Sequence, residues 1–193
     1  MRNNENYPYS KAEKFLNSDA LTEPTRKALL ERMVKGRAID SNKFFAPYHF
    51  YLLSLICDRL MDQDPEDRIV NIALFIDERL ANNTCDGWRY NNMPPDEKML
   101  IRGLEGIYET SIEMYDKIFI ALKKEAQIKV LETIQQGNPP GNTWKTLSAK
   151  RFFEELLAET SEIFFSHPLV QLQMGYVGMA DAGGWAQIGL NES

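Results

Sequence analysis

Cysteine, histidine and valine are all scarce in this chain of 193 residues, and each scarcity excludes something. Two cysteines, Cys57 and Cys85, cannot build a disulfide framework or a four-ligand zinc site of the usual kind. Cys57 lies in the apolar stretch Tyr51 to Leu60, where buried structural thiols are common, and Cys85 lies in the polar loop Asn82 to Gly87. Five valines and no sustained alternation of apolar and polar residues argue against a sheet. Phosphate-binding loops are missing too. The glycine-rich run from Gly175 to Gly184 matches neither G-x-G-x-x-G nor G-x-x-x-x-G-K-[ST], and no Gly-x-Ser-x-Gly occurs. No segment approaches the roughly 18 apolar residues that cross a bilayer, so direct membrane insertion is not expected. The start, Met1 to Tyr7, has neither an apolar h-region nor twin arginines. As written the chain reads as cytoplasmic, or as periplasmic if a leader precedes it or another route exports it.

What is present suffices for a core. Hydrophobic residues make up 44% and charged residues 26%, which excludes wholesale disorder. A chain this long buries roughly 70% of its unfolded surface. With 22 basic residues against 28 acidic ones the net charge is -6, which argues against a broad nucleic-acid-binding face or a polybasic membrane patch.

Helical signals run almost end to end. Thr22 and Pro24 open a helix that reaches about Lys35, where Gly36 stops it. Pro47 opens a second, to about Asp62. Its narrow polar stripe of Ser54, Asp58 and Asp62 marks a central helix, apolar around most of its circumference. Asp64-Pro65-Glu66-Asp67 predicts another start, with Ile69, Ile72, Ala73, Ile76 and Leu80 on one face as far as Ala81. From Pro95 to Ile120, Leu100, Leu104, Ile107, Tyr108, Ser111 and Tyr115 share a face. There Gly103 and Gly106 imply either a second backbone close by or a local kink. Lys124 to Gln136 turns Ile128, Leu131 and Ile134 inward. A last long helix starts at Ser148 with Phe152, Phe153, Leu156, Leu157, Thr160, Ile163 and Phe164 facing in. His167-Pro168 ends it. The expectation is an all-α fold: one bundle-like domain of about six helices over residues 21–168, an N-terminal arm over 1–20, and an irregular glycine- and aromatic-rich tail over 169–193.

Candidate chemistry is thin. His49 falls on the core-facing stripe of the second helix and reads first as a core histidine. His167 stands at a helix end, where an imidazolium suits the dipole. Neither is preceded three residues earlier by a carboxylate, so the Glu-x-x-His ligand pattern of di-iron bundles fails. Glu154, Glu155, Glu159 and Glu162 read as a solvated face, or as a docking surface for a basic partner. No catalytic, cofactor-binding or metal-binding residue stands out. The tail, with Met174, Tyr176, Met179, Trp185, Ile188 and Leu190, is too apolar to hang free. It either folds back on its own bundle or lies in a groove of another protein, and Tyr7, Pro8, Tyr9 and Phe15 give the arm a similar character.

Two stretches resemble a known family. Phe44-Phe45-Ala46-Pro47, followed by Leu52-Leu53-Ser54-Leu55-Ile56-Cys57-Asp58-Arg59-Leu60, resembles the opening of the gluconate 2-dehydrogenase subunit 3 family. Glu159-Thr160, Phe164-Phe165-Ser166-His167-Pro168 and Gly184-Trp185-Ala186-Gln187-Ile188-Gly189-Leu190 resemble its end, so the similarity spans about residues 44–190. The resemblance implies a small, non-catalytic accessory subunit. Its partner would be a large dehydrogenase subunit of the glucose-methanol-choline type that carries the FAD, often with a cytochrome c as electron acceptor. On that reading the arm and tail dock on the large subunit, with Phe165, Pro168, Tyr176 and Trp185 as candidate contacts. The residues by themselves leave two other readings open: a stand-alone helical scaffold or small-molecule-binding module, and an enzyme that pairs His49 or His167 with a carboxylate.

Overall fold

A computed structural model describes residues 14–19, 21–35, 43–84 and 93–176. Cys85, Trp185, the Tyr7-Pro8-Tyr9 segment and most of the glycine-rich run lie outside the described residues. Among the described residues all regular structure is helical, in agreement with the all-α expectation. The helices are α1 (Glu23–Lys35), α2 (Pro47–Leu60), α3 (Ile72–Ala81), α4 (Asp96–Tyr115), α5 (Lys124–Gln135), α6 (Ala149–Phe165) and α7 (Pro168–Gln173). Short 3-10 turns lie at Phe119–Ala121 and Thr143–Lys145. Contacts divide the chain into two compact units, Asp40–Glu162 and a second made of Met1–Ile39 with Ile163–Ser193.

In the unit Asp40–Glu162, α2 is the central element and packs on α3, α4 and α5. Pro47 sets its first turn, and every residue from Leu52 to Asp58 is buried. The polar stripe lies inward over most of its length. Ser54 Oγ returns a hydrogen bond to the Phe50 carbonyl at 2.9 Å, and Asp58 is 1% exposed. The helix ends at Leu60, ahead of Asp62, which takes a left-handed φ of 49°.

Asp64-Pro65 starts a single turn and not the long helix its sequence predicts. The Asp64 carboxylate does accept from Glu66 N–H at 3.0 Å, as an N-cap should. Gln63 then holds the following backbone out of helix. Its Oε1 accepts from both Ile69 and Val70 N–H at 3.0 Å, and its Nε2 donates to the Val70 carbonyl at 3.0 Å. Helix α3 therefore begins only at Ile72, with Ile72, Ala73, Ile76 and Leu80 buried as the periodicity predicts.

Gly103 and Gly106 are buried on α4, and the nearest neighbours at both are aromatic side chains, not a second backbone. A Cβ on Gly103 would fall into the Phe152 ring, and one on Gly106 into the Trp144 indole. Two aromatic rings thus lie flush on the helix, which glycine alone permits. Trp144 is fixed there because its Nε1 donates to Thr110 Oγ1 at 2.8 Å. That oxygen in turn lies 2.8 Å from the Gly106 carbonyl and 2.9 Å from that of Pro140. Helix α4 closes on Asp116, left-handed at φ 53°, with its N–H on the Ile112 carbonyl at 2.8 Å.

In the other unit α1 packs against α7. Leu16, Leu21 and Leu29 form a buried cluster flanked by Phe15 and Met33. Phe15 and Leu16, assigned by sequence to an arm, belong to that cluster. His167-Pro168 starts a helix in addition to following one. After α6 stops at Phe165, Pro168 takes the first position of α7 and His167 Nδ1 accepts from Leu169 N–H at 3.4 Å.

Candidate functional site

The residues that carry the family resemblance at its front end hold the fold together. Asp77 is fully buried on α3, and its carboxylate accepts from the backbone N–H groups of Lys43, Phe44 and Phe45, the latter two at 3.1 and 2.8 Å. This pins the Phe44–Phe45 pair, whose rings meet edge to face at 4.9 Å, immediately ahead of Pro47. Asp58 takes a bidentate grip on Arg68. Nε lies 2.8 and 3.0 Å from its two oxygens and Nη2 lies 2.7 Å from Oδ2. That hydrogen-bonded carboxylate raises the guanidinium above its ordinary pKa. Next in sequence, Arg59 donates to Gln127 Oε1 at 2.7 Å. The Gln127 amide continues to the Phe119 carbonyl at 3.0 Å, so α2, α5 and the first 3-10 turn are tied together.

A second tie corrects the expectation for the last helix. Glu159 does not belong to a solvated acidic face. It is 19% exposed and receives Arg79 Nε at 2.7 Å, while Arg79 Nη1 reaches Asp96 at 2.9 Å. Arg79 thus joins α3, the first turn of α4 and α6. Glu154 and Glu162 do face outward, Glu155 is half-buried, and Glu154 pairs with Arg151 at 2.8 Å. No pattern in the sequence could match Arg79 to a carboxylate 80 positions away.

Cys57 is the buried thiol its neighbourhood suggests. Burial above all, reinforced by the charges of Asp58 and Glu159, pushes it up to about 12, and Thr160 Oγ1 lies 3.8 Å away. A thiol of that kind stays protonated and unreactive at neutral pH.

The two histidines part company. His167 is buried, 1% exposed, and caps α7. His49 is only half-buried and lines an open cleft on α2 and α4 with Tyr48, Leu104, Glu105, Tyr108 and Glu109. Tyr108 and Tyr115 fall on the predicted inner face of α4, yet they are 42% and 37% exposed. Ile128, predicted inward on α5, is 36% exposed, and Gln127 and Val130 are buried instead. Helical periodicity places these residues one step off. Gln127 goes inside because Arg59 and the Phe119 carbonyl satisfy it.

Of the four candidate contacts, Phe165 is 48% exposed and Tyr176 is 42% exposed. Pro168 is buried at the start of α7, and Trp185 lies outside the described residues. Phe165 and Tyr176 share their unit with two further exposed apolar side chains, Met174 of the tail at 65% and Leu30, which no sequence pattern singles out, at 44%.

Among the described residues no group of three or more His, Cys, Asp or Glu side chains is placed to hold a metal ion. Among them, too, no helix is long and apolar enough to cross a membrane. The sequence model of one family, gluconate 2-dehydrogenase subunit 3, matches residues 47–184, well over half of the chain. No curated protein and no solved structure matches it.

Proposed function

We propose that this chain, which belongs to the gluconate 2-dehydrogenase subunit 3 family, is a non-catalytic accessory subunit that binds and stabilises a flavin-dependent sugar or polyol dehydrogenase of the glucose-methanol-choline type. The FAD resides in the large subunit, and a cytochrome c takes the electrons. The observation that carries this reading is the family match itself, which runs from the first residue of α2 to Gly184.

The placement of polar groups supports it. Asp58, Arg59, Asp77 and Glu159 are engaged inside the chain, by Arg68, Gln127, backbone N–H groups and Arg79. Side chains committed in this way serve positioning and stability. The contacts to the large subunit come from the unit that contains Phe165 and Tyr176. Pro168 holds the turn between them in place, and Trp185 adds a further aromatic anchor. Exposed aromatic and methionine side chains are the types enriched in interface cores.

The test is affinity purification of the tagged chain from its native organism at low salt, with an absorbance scan of the eluate. A larger, yellow, flavin-bearing protein in the same fractions is the expected result. A colourless chain that elutes alone under several conditions would contradict the reading and favour a stand-alone helical module.

A further inference from the structure

Where the first turn of α2 meets the middle of α4, Tyr48 and His49 line an open cleft of about 380 Å³ with Leu104, Glu105, Tyr108 and Glu109. Its base is apolar, since Leu104 is fully buried. Its walls are aromatic: Tyr48 and Tyr108 are 37% and 42% exposed, and the Tyr48 ring stands edge-on to the His49 imidazole at 5.8 Å. Burial, and then the neighbouring Tyr108 phenol, push Tyr48 up, so it presents a neutral ring at ordinary pH. Glu109 is held in place, with Oε2 accepting from Thr143 N–H at 2.8 Å and Oε1 from Thr143 Oγ1 at 3.1 Å. Glu105 is exposed at the rim. None of the described residues that line the cleft is a lysine or an arginine.

That combination selects a ligand class. An anion would meet two carboxylates and no fixed positive charge. An aromatic face attracts a cation through its quadrupole, carboxylates add direct charge attraction, and an apolar base accepts a hydrocarbon stem. We propose that the cleft binds an organic cation, a guanidinium or primary ammonium group on a short apolar stem. Its head lies against the Tyr48 and Tyr108 rings, and Glu105 and Glu109 supply the counter-charge. The ligand is either a free small amine or the basic side chain of another protein. The inference rests on the cleft alone and does not depend on which dehydrogenase, if any, the chain accompanies.

The probe is butylguanidinium, compared with its neutral isostere butylurea, in an NMR titration of the whole chain at pH 8. The ring signals of Tyr48, Tyr108 and His49 are followed. Butylguanidinium should shift all three saturably, with a dissociation constant on the order of millimolar, and butylurea should bind at least about fivefold more weakly. Glu105→Gln and Tyr108→Ala should each weaken butylguanidinium by about fivefold. Equal shifts from butylurea, preferential binding of neutral D-glucose, or no saturation by about 50 mM would overturn the proposal. The comparison of the two isosteres decides the matter on the wild-type chain even if a variant misfolds. A capped pentapeptide with a central arginine separates the two sources. Tighter binding than butylguanidinium assigns the cleft to a protein's side chain, and equal binding assigns it to a free amine.

Discussion

In the unit Asp40–Glu162, charged groups face one another inside or at the edge of the fold: Asp58 with Arg68, Asp77 with three backbone N–H groups, Arg79 with Asp96 and Glu159. In the unit made of Met1–Ile39 and Ile163–Ser193, Leu30, Phe165, Met174 and Tyr176 turn apolar surface outward. Both regions carry part of the same family match. The difference teaches that a recurring motif need not mark chemistry. The front motif is engaged in internal clamps, and in the rear motif Glu159, His167 and Pro168 are held inside as well, whereas Phe165 and, beyond it, Tyr176 leave nearly half of their surface in solvent. Substitution of a clamp residue should therefore lower stability, and on the proposed function substitution of Phe165 or Tyr176 should lower partner affinity at nearly constant stability.

The hardest way to break the comparison is at Asp77. Alanine there strands three backbone donors ahead of α2, and the loss should be about 3–5 kcal/mol. Urea midpoints measure it, and a loss below about 1 kcal/mol would mean that the carboxylate is not a clamp.

Next in size is Gly106→Ala. Helix propensity alone favours alanine by about 1 kcal/mol, but a Cβ collides with Trp144. The net effect should be a destabilisation of about 1–3 kcal/mol. In a Trp144→Ala background the same change should become neutral or stabilising, because the obstacle is gone. A double-mutant cycle reports this directly, and additive effects would rule out the packing explanation.

Cys57 gives a smaller, pH-dependent effect. Its folded-state pKa of about 12 lies above the ordinary 9.0, so the neutral thiol is the form that the fold favours. The associated stability is fully present below about pH 9.0 and is lost as pH rises toward about 12. At one pH unit above the ordinary value the loss is on the order of 1 kcal/mol. Cys57→Ser removes the titration, so the alkaline decline of its urea midpoint should be shallower than that of the wild type. Parallel declines would show that the thiol is not what the fold protects.

Phe165→Ala and Tyr176→Ala should have the least effect on stability, within about 1 kcal/mol, because nearly half of each residue's surface is already in water. A larger loss would place them in the core of their unit and erase the contrast between the two regions.

The sequence disclosed the fold class and the central helix more readily than it disclosed partners. Pro47 as a helix start, the buried run from Leu52 to Asp58 and the apolar face of α3 follow from local rules. The long helix predicted from Asp64-Pro65 does not form, because Gln63 supplies hydrogen bonds that a helix would have to forgo. Gly103 and Gly106 signal close approach correctly, yet the approaching groups are the rings of Phe152 and Trp144, distant in sequence. Glu159 looks solvated in the sequence because its partner, Arg79, is on another helix. The exposed cleft residues Tyr48 and Tyr108 are hidden for a related reason. Aromatic residues at helical spacing look like core whether or not another element covers them. Tyr176 and Met174 are legible in the apolar character of the tail and Phe165 through the family resemblance, and the structure adds Leu30 to the same unit.

The most direct test of this division of roles is the affinity of the chain for the dehydrogenase subunit proposed as its partner, with the Phe165→Ala/Tyr176→Ala double variant set against the wild type. The division predicts at least about a tenfold loss of affinity with a nearly unchanged urea midpoint, as expected for exposed aromatic anchors. Full affinity in the double variant would contradict it and move the docking surface elsewhere on the chain.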